Sequence, residues 1–318
     1  MVPIVSPKPT FADKRNQWLE VLSGKDLHSV VNQITEMAWN MAAFRVVNKA
    51  RSLAPPHHEG GVQLNGLMHQ LLDRGFSMSQ MAAVRRLWDT SSPLEGKKGV
   101  YSLAKLLEDM SEHHHLFTRE AIFEAEALKY DCELIRQKAN EYIIEQRKAG
   151  KTAYFLPPGL DSFVHENRHE QIDRLAGVAP SDRRPDDTIQ KDVFFNLTAK
   201  VQTACEDVKN HATKLIAHAA APKNREAVVV EITLNHLDNA HRNLCQVTSF
   251  IATYILGDSC PPPLPVPQYN QFKYIERPLI DRDQVPELQE VWNQFDEDCN
   301  DWSQWALDDY EQEFSKKP

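Results

Sequence analysis

Four ionisable side chains recur along one stretch of the chain, Asp207, His211, Lys214 and His218, at steps of four, three and four. On a helix such steps return to nearly the same face, so an acid, two imidazoles and an ammonium would stand in one line. A histidine titrating near neutrality can move a proton, while a neighbouring cation steadies negative charge. Asp207, a turn before His211, would favour the protonated ring. The competing reading makes His218 structural, hydrogen-bonded across to a packed neighbouring helix.

A second set is His165, Glu166 and His169, spelling H-E-x-x-H. That spacing puts two zinc ligands and a general base on one helix face, which is hydrolase chemistry. Zinc hydrolases embed the motif in apolar surroundings, whereas here Asn167, Arg168 and Glu170 stand between and beside the ligands. A solvated helix face is therefore expected, with no bound metal and no cofactor. The adjacent His57 and His58 lie in a loop composition and point apart. His113, His114 and His115 would spread over about 200° of a helix, so they do not converge on one ion. Arg85 and Arg86 next to Trp88 fit either an anion site or carboxylate partners across a helix interface, and the second is expected.

These residues need elements to hold them. Phe194, Leu197, Val201, Ala204, Val208, Ala212, Leu215 and Ala219 form an apolar stripe at helical spacing, predicting one helix from Val193 to Ala220 with the four ionisable groups on its border. Leu237, Ala240, Leu244, Val247, Ile251 and Tyr254 predict a second from Thr233 to Gly257, and a joining segment of about a dozen residues lets the two lie antiparallel as a hairpin. The apolar run Glu226 to Ile232 between them fits an extended segment or a first helical turn. Upstream, helices are predicted over Phe11–Leu22, from near Asp26 through Val47, over Val62–Asp73 and Ser77–Trp88 with Gly75 as a cap between them, and over the stretch beginning at Ser102. The last of these turns Leu103, Leu106, Leu107 and Met110 inward and Glu108 and Asp109 outward. One long helix is predicted from Thr118 to Ala149, stopped by Gly150.

With 42% apolar residues in 318, and nineteen prolines against eleven glycines, the composition gives a sizeable core and speaks against a turn-rich sandwich or barrel. The fold class is all-α, a multi-helix bundle. Its organisation reads as an N-terminal helical region 1–155, a boundary segment 156–190 broken by proline, a helical hairpin 191–258, and a proline-rich connection with an acidic C-terminal helix over 259–318. That helix carries Trp292, Trp302 and Trp305, which fit either packing onto the body or a partner-binding tail. A net charge of −9 excludes general nucleic-acid binding and leaves room only for a local basic site. Five dispersed cysteines form neither a disulfide framework nor a thiol zinc site, which points to a reducing cytoplasm. The opening residues do not read as a secretory signal, and no stretch reaches the length of about 20 apolar residues that spans a bilayer.

The segments KNHATKLIAHAA (209–220) and TLNHLDNAHRNLCQVTSFI (233–251) resemble the HEPN superfamily, in particular its abortive-infection branch in bacteria. Ala217-His218 stands where such proteins carry an Ala-His step, and Leu234 to Asp238 where the second helix opens. AVRRLWD, YSLAKLLEDM, HEQIDRL and RRPDD are similar to the upstream part of bacterial proteins with such a hairpin. The resemblance implies an all-α protein of a phage-defence or toxin-type system, dimeric in its active members. Those members cleave RNA without metal, using an Arg separated by four to six residues from a His. His218 matches the His, while positions 211–213 hold His, Ala and Thr. Lys214 or protonated His211 would have to supply the missing charge, and neither has the planar fork of Arg. At most, then, the resemblance implies a metal-independent endoribonuclease. A non-catalytic dimerisation or protein-interaction module is the alternative, and a zinc hydrolase through His165, Glu166 and His169 the second alternative.

Overall fold

The computed structural model describes residues 9–53, 66–94, 99–152, 156–157, 160, 162–217, 231–261, 263–264, 266–270, 272–273, 286–287, 290 and 293–294. Met1–Pro265 forms one compact unit and Val266–Pro318 another. Among the described residues there are nine α-helices and no strand, so the fold is an all-α bundle. They are α1 Phe11–Ser23, α2 Val30–Leu53, α3 Gly66–Leu87, α4 Leu103–Glu112, α5 Arg119–Ala125, α6 Cys132–Lys148, α7 Ser162–Ala176, α8 Lys191–His211 and α9 Leu234–Phe250. Of the second unit, residues 286, 287, 290, 293 and 294 are helical, and Trp292, Trp302 and Trp305 lie outside the described residues. No helix among the described residues is long and apolar enough to cross a membrane.

Helix α8 sits at the centre of the first unit, packed against α3, α4 and α9. Its stripe reads as predicted from Phe194 through Val201 and Val208 to Ala212, all buried. At Ala212 the helix passes into a π turn, Ala212–Ala217, and the stripe slips by one residue. Leu215, predicted inward, is exposed, and Ile216 packs on the core instead. The same happens at the end of α9, where Ile251–Ile255 is a π turn: Tyr254 is exposed and Ile255 buried. A π turn closes i to i+5 rather than i+4, so every side chain beyond it is displaced around the axis.

Two predicted boundaries are corrected. Helix α3 runs straight through Gly75, where a Cβ would meet nothing within 4 Å, so the glycine costs only the roughly 1 kcal/mol of a helix-interior Gly. Phe76 stacks on Phe44 of α2, ring centroids 3.8 Å apart, and holds the continuous helix in place. The predicted helix from Thr118 to Ala149 is instead two helices. Leu128 N–H bonds the Phe123 carbonyl at 2.9 Å with Ala127 at φ 55°, closing α5 by a Schellman turn with Ala where Gly is usual. Asp131 then caps α6 by accepting from Leu134 N–H at 3.0 Å.

The segment expected to be a boundary carries α7, whose Ile172 and Ala176 belong to the common core. Asp109, expected in solvent, accepts from Trp18 Nε1 at 2.6 Å and from Lys14 Nζ at 3.0 Å. Its bond fixes Trp18, which stacks on Phe117 with centroids 4.8 Å apart.

Candidate functional site

The predicted line of ionisable residues falls across the α8 to π-turn junction. Asp207 is exposed and His211, the last α-helical residue, is half-buried with its Nδ1 buried and unpartnered among the described residues. Lys214 is half-buried within the π turn. Because a π turn holds more residues per turn than an α turn, the three-residue step from His211 to Lys214 sweeps a smaller angle, and Lys214 is rotated off the line assumed for a continuous α-helix. His218 and the run 226–230 lie outside the described residues.

The structure adds a residue that spacing within α8 could not reveal. Arg85 of α3 donates from Nε to Thr213 Oγ1 at 3.2 Å, and no other partner of this guanidinium occurs among the described residues. Thr213 occupies the last of the positions, 211–213, where the resemblance calls for an Arg. A guanidinium has five N–H donors in a fixed fork, so one bond to a hydroxyl leaves most of its donors uncommitted. Its neighbour Arg86 is exposed, and its guanidinium has no hydrogen bond or ion pair among the described residues. Among the described residues neither arginine meets the carboxylates expected across a helix interface. The signal available in sequence was the Arg-Arg pair itself, since two cations beside a buried Trp88 need some counterpart.

H-E-x-x-H is a different kind of cluster. His165 and His169 are both buried, as is Arg168, so the expected solvated face is in fact the packed face of α7. Phe163 and Val164, by contrast, are exposed. Arg119, fully buried at the start of α5, donates to Asp173 Oδ1 at 2.8 Å, to Asp187 Oδ2 at 2.9 Å and to His169 Nδ1 at 3.0 Å. A guanidinium only donates, so Nδ1 accepts, and Nε2 must carry the proton it gives to the Tyr130 carbonyl at 2.9 Å. Neither nitrogen of His169 keeps a lone pair for a metal. Burial, above all, pushes the His169 pKa below its ordinary value, in keeping with a neutral ring. Glu166 turns to Arg136 on α6.

The segment 183–190 completes this clasp. Arg183 pairs with Asp173 at 2.6 Å, Arg119 N–H bonds the Asp187 carbonyl at 2.8 Å, and Thr118 forms a single β-bridge with Thr188. Arg168, on the same helix, donates to Glu126 at 2.9 Å and to the Tyr254 carbonyl at 2.7 Å, which closes the C-terminal end of the α9 π turn. Arg15 caps the Leu256 carbonyl at 2.8 Å from the other side. Cations on the last carbonyls of a helix satisfy both the orphan acceptors and the dipole.

Among the described residues one group of three ligand-type side chains converges, Asp109, Glu112 and His113, with ligand atoms within 4.8 Å of one another. The Asp109 carboxylate there is already neutralised by Lys14, so the group is a salt-bridged helix end. His114 and His115 line a separate shallow groove with Lys191 and Asp192.

Compared with protein-family models, curated proteins and solved structures, the chain matches none of them.

Proposed function

We propose that the chain is a HEPN-like helical protein of a bacterial defence or toxin-type system that engages RNA at the C-terminal end of α8. The observation that carries this reading is Arg85 reaching from α3 to Thr213. It puts a guanidinium beside the part of α8 whose own sequence lacks the Arg of the ribonuclease motif. In this reading Arg85 holds the phosphate, Lys214 adds charge, and His218 moves the proton of a ribose 2′-hydroxyl. His211 and Asp207 border the site. A local cluster of this kind is what an acidic protein needs in order to meet RNA at all.

The test incubates the purified chain with mixed RNAs in the presence of a chelator, beside Arg85→Ala and His218→Ala variants. Cleavage by the parent, lost by roughly a hundredfold or more in each variant, is the expected result. Cleavage that survives both substitutions would place the chemistry elsewhere. If the parent binds RNA without cutting it, and Arg85→Ala weakens binding, the chain is a non-catalytic RNA-binding relative.

A further inference from the structure

Beyond α9 the chain doubles back on its own helix. Gly257 takes a left-handed φ of +61°, and the Asp258 N–H bonds the Ala252 carbonyl at 2.8 Å, so residue 258 stands beside residue 252. A cavity of about 210 Å³ opens a little further back, lined by Cys245, Thr248 and Ser249 of α9, by Cys260 of the returning segment, and by Val31 and Ile34 of α2. Chain geometry accounts for this company. Two extended residues cover about 7 Å and four helical residues about 6 Å, so Cys260 falls near the level of Thr248. Cys245 lies within one turn of that level and lines the same cavity.

Both cysteines are free thiols, half-buried and packed against the core. Burial pushes the Cys245 thiol up to about 11, and the neighbouring Cys260 adds to the rise, so the two sulfurs are near enough to feel one another's charge. Burial, above all, raises the Cys260 thiol too. Cys245 is fixed on its helix. No backbone hydrogen bond holds Ser259 or Cys260 among the described residues, so Cys260 can shift along the cavity without breaking one.

We infer that Cys245 and Cys260 form a redox-controlled disulfide that latches the segment after α9 onto the helix. The oxidant is a peroxide. Cys260, whose thiol is raised less, loses its proton first, and its thiolate attacks one peroxide oxygen. The O–O bond breaks, the sulfur becomes a sulfenic acid, and the other oxygen leaves with a proton as an alcohol, or as water from hydrogen peroxide. The Cys245 sulfur then attacks the Cys260 sulfur, the S–S bond forms, and hydroxide leaves as water with the Cys245 proton. Two thiols are oxidised by two electrons and one peroxide is reduced. Because both thiols are held mostly protonated near neutrality, the latch closes slowly, under sustained oxidation, and a reducing thiol pool opens it again. The inference is independent of the RNA reading.

Peptide mapping of the full chain by mass spectrometry, after hydrogen peroxide and again after a phosphine reductant, tests this. The expected product is a peptide pair joined through Cys245 and Cys260 that the reductant separates. Closing this short loop should also raise the thermal unfolding midpoint of the oxidised chain by about 5 °C over the reduced one. Cys260→Ser should abolish both the link and the rise, and Cys299→Ser should leave both. The inference would be overturned by Cys245 and Cys260 recovered as separate thiols or separate sulfinic acids, by either joined to a different cysteine, or by a link that leaves the midpoint unmoved.

Discussion

The α7 clasp and the C-terminal end of α8 both concentrate charged and histidine side chains, and they treat those groups in opposite ways. In the clasp the buried polar groups of Arg119, Arg168, His169, Asp173 and Glu126 all meet partners. At the end of α8 the His211 Nδ1 is buried with no partner among the described residues, and Arg85 spends one donor on a hydroxyl. Both surround helix ends or breaks. What separates them is whether the hydrogen-bonding capacity is used among the described residues, and unused capacity is what the proposed RNA site requires. The motif with the stronger family-independent signature, H-E-x-x-H, thus turns out to be architecture.

Arg119→Met should show the largest effect. It would leave Asp187 with only the Arg184 N–H and Asp173 with only Arg183, and breaking a buried pair by removing one partner costs about 3–5 kcal/mol. Urea unfolding followed by circular dichroism measures it; a loss below 1 kcal/mol, as for an exposed ion pair, would erase the distinction between the two regions. Next comes Gly257→Ala. Gly257 sits at φ +61°, and an added Cβ would lie 2.2 Å from Glu126 Oε1, forcing that carboxylate off Arg168. The left-handed conformation and the displaced pair together should cost about 2 kcal/mol or more.

The clasp also predicts an acid limb. The folded pKa of His169 is depressed, chiefly by burial, so its contribution is complete above the ordinary value of 6.5 and is lost as pH falls below it, where the unfolded ring takes up a proton that the folded ring refuses. For Asp173, burial acts to raise the pKa, but the hydrogen bonds from Arg183 and Arg119 outweigh it and lower it, so its share is lost on acidification below about 3.8. Glu126 runs the other way: burial outweighs Arg168 and raises its pKa, so its share declines as pH rises above 4.5. Burial lowers the His241 pKa as well, so the His169 part is read as the difference between the parent and a His169→Gln variant in unfolding midpoints taken from about pH 7.5 to 5, and a variant with the same pH dependence as the parent would contradict it.

How much of this was legible depends on how local the cause is. The stripes of α8 and α9 declare themselves through apolar residues at steps of three and four, and Ser23-Gly24, Thr118 and Gly150 mark ends that the structure keeps. The π turns were hidden for a specific reason: Leu215 is followed by Ile216 and Tyr254 by Ile255, so the continuing and the slipped register both find an apolar residue. The break after α5 was hidden because Ala127 does the work usually given to glycine. The clasp could not be read at all, since Arg119 pairs with residues 54 and 68 positions away and nothing near Asp173 or Asp187 announces a buried cation. Arg85 at Thr213, 128 positions apart, was invisible for the same reason.

The smallest expected effect is the sharpest test of the contrast. His211→Leu removes a ring whose Nδ1 has no partner among the described residues, keeps an apolar body against the same neighbours, and relieves a desolvated nitrogen. If the end of α8 holds unspent polar capacity, stability should change by no more than about 1 kcal/mol and in either direction, while RNA affinity falls. A loss as large as that for Arg119→Met would mean that the imidazole is bonded after all, and the end of α8 would then be a second clasp. Unchanged stability with unchanged RNA affinity would instead leave Arg85, Lys214 and His218 to carry the site, and would move its centre from the last turn of α8 into the π turn.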